Sequence, residues 1–257
     1  MNIKIIVATH KKYQMPKDDI YFPLHVGAEG GKNIGFIGDN TGDNISEKNP
    51  YFCELTGLYW AWKNLDYDYL GLVHYRRHFR GKTKNNNKFE QIIKKQEIEN
   101  LLKRTDIIVP KKRYYFIETL YSHYEHTHYI DDLEKTKKIL EQKYPDYVNS
   151  FNIVLNKKSA HMFNMFVMKK ELVNNYCSFI FDILFELEKQ TNPSQYNKYQ
   201  ARLYGYISEL LLDVWIEQNK LKYKEIPVLN MEKINWFKKG SSFLKAKFFG
   251  KKYDRSF

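Results

Sequence analysis

Residues 69–79 read YLGLVHYRRHF. The first half is a continuous apolar run of strand length, the pattern of a strand buried on both faces. It then passes, with no turn signal, into His74, Tyr75, Arg76, Arg77 and His78. A buried strand thus ends in four side chains that can carry positive charge. In an open α/β sheet, ligands bind beyond the carboxyl ends of the strands. Arginine forks match phosphate oxygens and keep their charge at any physiological pH, so two of them at a strand end suit a diphosphate. Strand alternation sends Arg76 and Arg77 to opposite sides, which leaves one to reach the ligand directly. The alternative is an ion pair with Asp66, Asp68 or a helix carboxylate.

Working outward, IKIIVAT (3–9) reads as a first buried strand ending in the polar pair Thr9-His10. Residues 27–50 hold six glycines with many Asn and Asp, the chemistry of a long functional loop. They contain no G-x-G-x-x-G between a strand and a helix. A helix is predicted over 51–64, capped by Ser46 or Asn49, with Leu55, Leu58, Tyr59 and Trp62 as its inward stripe; Trp60 and Trp62 read as packing. Further helices are expected over 89–104, 131–142, 170–190 and 199–219, with short strands at 106–110 and 163–168. Strands alternating with helices make an α/β domain with a mixed, mainly parallel sheet flanked by helices. That domain is expected over 1–234. The segment 235–257 combines six lysines and one arginine with large apolar groups, a basic amphipathic segment suited to an anionic membrane surface.

The chain has 257 residues, a formal charge of +12 and two cysteines, Cys53 and Cys177, both expected inside helices. The charge implies an anionic partner: nucleic acid, a phosphate-bearing substrate or a lipid surface. The cysteines read as reduced structural thiols. The apolar stretch at the start is too short for a signal peptide, and no apolar run reaches the ~20 residues of a membrane span. The expected location is cytoplasmic, peripheral at the inner face of the membrane.

Two further clusters carry candidate chemistry. HYEHTHYIDD (123–132) places His123, Glu125, His126, His128, Asp131 and Asp132 together. Its H-x-E-H-x-H spacing matches no standard metal pattern, so zinc or manganese ligation is the least favoured of three readings, after acid–base or acceptor-binding work and a structural polar loop. In RLYGYISELLLDVW (202–215), Glu209 sits on an apolar helix, where a carboxylate is either paired, with Arg202 or an arginine of 76–77, or functional. Asp66 and Asp68 have the Asp-x-Asp spacing that holds a divalent cation on a diphosphate, but they come at the beginning of the strand predicted over 68–73 and belong at the end opposite its arginines. No metal site is therefore predicted, and manganese or magnesium stays the alternative to arginine charge.

Five ordered motifs resemble the family called domain of unknown function 4422: GDNISEKNPYFCELTGLYWAWKN (42–64), YLGLVHYRRHF, HYEHTHYIDDL (123–133), NMFVMKK (164–170) and RLYGYISELLLDVW. That family occurs among capsular and exopolysaccharide biosynthesis proteins regarded as glycosyltransferases, some of them linked to galactofuranose transfer. The resemblance implies a GT-A-like fold and transfer of a sugar, such as galactose or galactofuranose, from a UDP-sugar to an oligosaccharide or undecaprenyl-diphosphate-linked acceptor. Thr9, His10, Asp39, Asn44, Asn49, His74, Tyr75, Arg76, Arg77 and Arg202 are then the candidates for donor and diphosphate binding. His123, His126 and Asn164 are the candidates for the acceptor, and Glu125, His128, Asp132 and Glu209 for catalysis. The family pattern carries Glu-Arg where this chain has Glu209-Leu210, and an aromatic where it has His78. A nucleic-acid-binding protein is the rival class, but the basic residues are dispersed and match no nucleic-acid motif. A non-catalytic partner in a polysaccharide complex is the other alternative.

Overall fold

The computed structural model describes residues 1–232; the segment 235–257 lies outside them. Eleven strands and eight α-helices follow one another in this part of the chain. The strands are β1 (Ile3–Thr9), β2 (Tyr21–His25), β3 (Ile37–Gly38), β4 (Tyr69–His74), β5 (Arg77–Phe79), β6 (Ile107–Pro110), β7 (Arg113–Tyr114), β8 (Ser159–Ala160), β9 (Phe166–Lys169), β10 (Tyr223–Ile226) and β11 (Val228–Asn230). The helices are α1 (Asn49–Phe52), α2 (Leu55–Asn64), α3 (Lys95–Leu102), α4 (Leu120–Thr127), α5 (Ile130–Lys143), α6 (Tyr147–Leu155), α7 (Lys170–Gln190) and α8 (Leu203–Gln218).

The main sheet runs β10-β6-β9-β4-β1-β2-β3, and β7 and β8 form a separate ribbon. Along the main path only β9 is reversed, antiparallel to both β4 and β6. The continuous apolar reading of β1 and β4 has a direct cause: both faces are covered. Ile6 and Ala8 of β1 enter the core beneath α2, α7 and α8. Ile5 and Val7 enter a second core shared with α3. Gly71 is the close-approach point in β4. A Cβ there would lie 2.9 Å from both the Phe166 carbonyl oxygen and Val167 Cγ2 of β9.

Several local expectations are corrected. The helix predicted over 51–64 is broken at Cys53, whose backbone sits at φ 54 and ψ −131. Ser46 and Asn49 do not cap it. Ser46 Oγ donates to Asp39, and the Asn49 amide donates to the Cys53 carbonyl (2.7 Å) and to Thr56 Oγ1 (3.0 Å), tying the two pieces across the break. The helix expected over 89–104 is a 3-10 turn, Lys88–Gln91, followed by the shorter α3. The helix expected from 199 begins at Leu203, after a 3-10 turn over Gln200–Arg202. The first correction that bears on the site concerns the opening motif. β4 pairs antiparallel with β5 through His74 and Arg77, so Tyr75 and Arg76 form a two-residue hairpin turn where a continuous strand was expected.

Candidate active site

The parallel register of β1 and β4 pairs Ala8 with His74. Thr9-His10 and the Tyr75-Arg76 turn therefore emerge side by side from the carboxyl edge of the sheet. A cleft with two lobes opens over this edge. The larger, about 760 Å³, is walled by His10, Asn49, Glu54, His74, Tyr75, Tyr196 and Lys198. The smaller, about 170 Å³, is walled by Arg77, Arg113, Tyr115, His123, His128, Tyr206 and Glu209. Arg76 and Arg202 line both lobes. Residues from β1, the α1–α2 break, the β4–β5 turn, α4 and α8 thus converge on one cavity.

The hairpin changes the meaning of HYRRH. Arg76 and Arg77 both line the smaller lobe, so neither is sent away by alternation. Arg76 approaches the Tyr75 ring (5.3 Å) and Glu232 (3.7 Å), while the Arg77 guanidinium lies 4.5 Å over the Phe163 ring. The two histidines do not add charge. His78 is fully buried against Tyr21, and burial pushes its pKa down to about 3. Burial likewise lowers His74, whose Nε2 meets the Phe163 carbonyl at 2.7 Å. The strand end is cationic through its arginines alone.

Beneath the boundary between the lobes lies a tight polar network. Asn164 donates to Glu54 Oε1 (2.8 Å) and the Gly205 carbonyl (3.2 Å), and accepts from Ser208 Oγ (2.9 Å). Phe163 and Asn164 both hold left-handed backbone, φ 78 and 52, which costs non-glycine residues ~1–3 kcal/mol each and is tolerated where surroundings over-determine it. Arg202 Nε donates to Cys53 Sγ at 3.0 Å, linking the α1–α2 break to the start of α8. Cys53 is therefore a hinge-point residue and not a helix-interior one.

Glu209 faces the smaller lobe from α8. Burial, then the charge of Glu54, raises its carboxyl to about 7, against the pull of Arg77, a Phe163 backbone hydrogen bond and Arg113. No arginine comes within ion-pair distance of it among the described residues, so the pairing alternative is not realised. A carboxyl poised near neutrality at a cavity wall is suited to take a proton.

The other predicted residues divide by position. His128 reaches the smaller lobe, its Nδ1 held by Gln200 Oε1 at 2.8 Å and its ring 4.2 Å from that of Tyr206. His123 also faces that lobe; burial lowers it to about 4, although it shares the buried Glu118 with His126. Asp132 lies in the core under the Tyr196 hydroxyl (3.1 Å), and Glu125 on the exposed face of α4; neither lines the cleft. Asp39 is buried and accepts from the Gly27 and Ala28 amides at 3.0 Å. Thr9 and Asn44 are likewise engaged with nearby backbone, at Lys11 and at Gly42 and Ser46. Asp68 accepts from the Asn2 amide at the opposite end of β4 (2.7 Å). Among the described residues no group of three His, Cys, Asp or Glu side chains is arranged to hold a metal ion.

Sequence reasoning missed Glu54, Arg113, Tyr115, Glu118, Tyr199 and Tyr206. Glu54 was open to the test applied to Glu209, an acid between the apolar Phe52 and Leu55. The tyrosines carried no signal, because a chain with 21 of them offers no contrast.

The fold has a solved counterpart. The chain is similar over 91% of its length to the structure described as the WbbM bifunctional glycosyltransferase in its apo form, with 32% identity and a TM-score of 0.84. It spans 46% of that longer chain. Residues 4–220 match the model of the family described as domain of unknown function DUF4422, and the chain belongs to that family. No curated protein matches it.

Proposed function

We propose that this chain is a glycosyltransferase that moves a sugar from a UDP-sugar onto a hydroxyl of a lipid-linked or oligosaccharide acceptor. One observation carries the reading: Arg76 and Arg202 stand between two lobes of one cleft, and Glu209, near neutrality, faces the smaller lobe. The likeness to WbbM supports it. The larger lobe takes the nucleotide, with His10, Asn49 and Tyr75 beside it. Arg76 and Arg202 meet the diphosphate. The smaller lobe takes the acceptor against Tyr115, His128 and Tyr206.

In the reaction, Glu209 accepts the proton of the acceptor hydroxyl as that oxygen attacks the anomeric carbon. The bond from that carbon to the β-phosphate oxygen breaks, and UDP leaves with the electron pair. Charge on the departing diphosphate is met by arginine, the stabilisation that a bound cation otherwise supplies. Attack from the face opposite the leaving group inverts the anomeric configuration. The family resemblance makes UDP-galactose and UDP-galactofuranose the first donors to try, and a lipid-linked acceptor places the protein at the inner face of the membrane.

The test is a thermal-shift scan of UDP-sugars, with manganese and with chelator. Stabilisation by one UDP-sugar, unchanged by chelator, is expected. No response to any UDP-sugar defeats the proposal, and a response that needs manganese defeats its arginine-only treatment of the leaving group.

A further inference from the structure

The β7–β8 ribbon stands apart from the main sheet at the rim of the smaller lobe. Its side chains divide by direction. Arg113 and Tyr115 line the lobe, whereas Tyr114, Phe116 and Ile117 project outward, 58%, 79% and 56% exposed. Three large apolar side chains are thus exposed within four residues, the kind of surface that marks a protein or membrane contact. The backbone presents it deliberately. Phe116 holds a left-handed φ of 52, the Tyr115 amide donates to the Lys158 carbonyl at 2.8 Å, and the Tyr114 and Phe116 rings sit 6.3 Å apart.

The exposed charged side chains of the ribbon itself, at 111 and 158, are lysines. Lys111 and Lys158 are exposed and make no ion pair among the described residues. Glu118, the one acid of residues 111–118, is buried and taken up by His123 and His126. Aromatic and aliphatic side chains at a projecting tip, with lysines behind them, match an interface that is apolar inside and negatively charged at its surface. The net charge of +12 has the same sense.

We propose that Tyr114, Phe116 and Ile117 insert into an anionic phospholipid surface, with Lys111 and Lys158 at the headgroups. This site uses no residue of 235–257 and none of the residues assigned to sugar transfer. It turns the mouth of the smaller lobe toward the bilayer; only that orientation rests on reading the lobe as the acceptor's.

The test uses the full chain and flotation with vesicles of phosphatidylglycerol and phosphatidylcholine, against phosphatidylcholine alone. Wild type is expected to float with the anionic vesicles only. Phe116→Ser with Ile117→Ser is expected to lower that partition by about tenfold or more, from the loss of two buried apolar side chains, with an unchanged circular dichroism spectrum. A second readout follows the tip itself: Phe116→Cys carrying a polarity-sensitive dye should shift to the blue on anionic vesicles. Wild type taken through the same labelling is the control for the two native thiols, half-buried Cys53 and buried Cys177. The proposal is overturned if the double variant floats like wild type, if the dye stays in water, or if wild type floats on neither or equally on both. It is also overturned if the double variant loses only self-association in size exclusion. Vesicle binding is read without turnover, so a failed glycosyltransferase reading leaves the result standing.

Discussion

Replacing Glu209 by Gln is expected to strengthen the fold in alkaline buffer while removing activity. Its carboxyl moves from an ordinary 4.5 to about 7 on folding. Between these values the folded protein keeps a proton that the unfolded chain has released. Stability therefore falls as pH rises from 4.5 through about 7, and levels off above. At ~1.4 kcal/mol per tenfold change in proton affinity, the difference of 2.5 sets a ceiling of about 3 kcal/mol; partial exposure of the side chain reduces this to about 1–2 kcal/mol. Because a chain of this size gains ~2–4 °C per kcal/mol, Glu209→Gln should raise Tm by about 2–8 °C at pH 8 and leave it unchanged at pH 4.5. Differential scanning fluorimetry across pH measures this. Turnover, measured alongside, should drop ~10²–10⁴-fold, the usual contribution of a general base, and the wild-type rate should rise with a midpoint near 7. A variant that melts earlier than wild type at pH 8, or one that keeps its turnover, refutes the reasoning.

Other substitutions probe the rest of the molecule. Arg76→Ala and Arg202→Ala should each weaken UDP binding by ~10–100-fold, the worth of a charged hydrogen bond; titration calorimetry showing unchanged affinity for both would remove the diphosphate from their side of the cleft. His78 stays neutral in the fold down to about 3 against 6.5 unfolded, so wild-type stability should be lost as pH falls from 6.5 toward 3. His78→Phe should flatten that slope, by up to about 5 kcal/mol at its foot, in urea melts at pH 4 and pH 7; parallel losses in both proteins would show the slope belongs elsewhere. Gly71→Ala forces a methyl to 2.9 Å from the Phe166 carbonyl oxygen and should cost ~1–3 kcal/mol, with a lower urea midpoint and no change in the pH midpoint of turnover.

The elements legible in the sequence were those whose burial pattern is local. β1 and β4 showed as unbroken apolar runs because the sheet is covered on both faces, and the 21-residue α7 was read at its true bounds from its period and length. The α1–α2 break was hidden: the Asn49 and Thr56 side chains that bind the Cys53 carbonyl are ordinary residues in a helical pattern, and the Arg202 contact to Cys53 Sγ comes from 149 positions away. α4, α6 and the short strands β2, β5 and β11 gave too little contrast to be read from pattern, and pair only through the finished sheet.

For the site, the sequence by itself determined the chemistry at the end of β4: two adjacent arginines after a buried strand, and a carboxylate at 209 on an apolar helix. Those follow from residue type and hydrophobic patterning, which are local. Tertiary structure decided which of these groups face one another. The two-residue turn at Tyr75-Arg76 brings both arginines to the cleft and buries His78 behind them, and the register of β1 with β4 sets His10 beside Arg76. Glu209 acquires its near-neutral carboxyl from burial first and then from Glu54, more than 150 residues earlier. Proton affinity and cavity shape depend on distances in space between groups far apart in the chain, and periodicity along the chain carries no record of those distances.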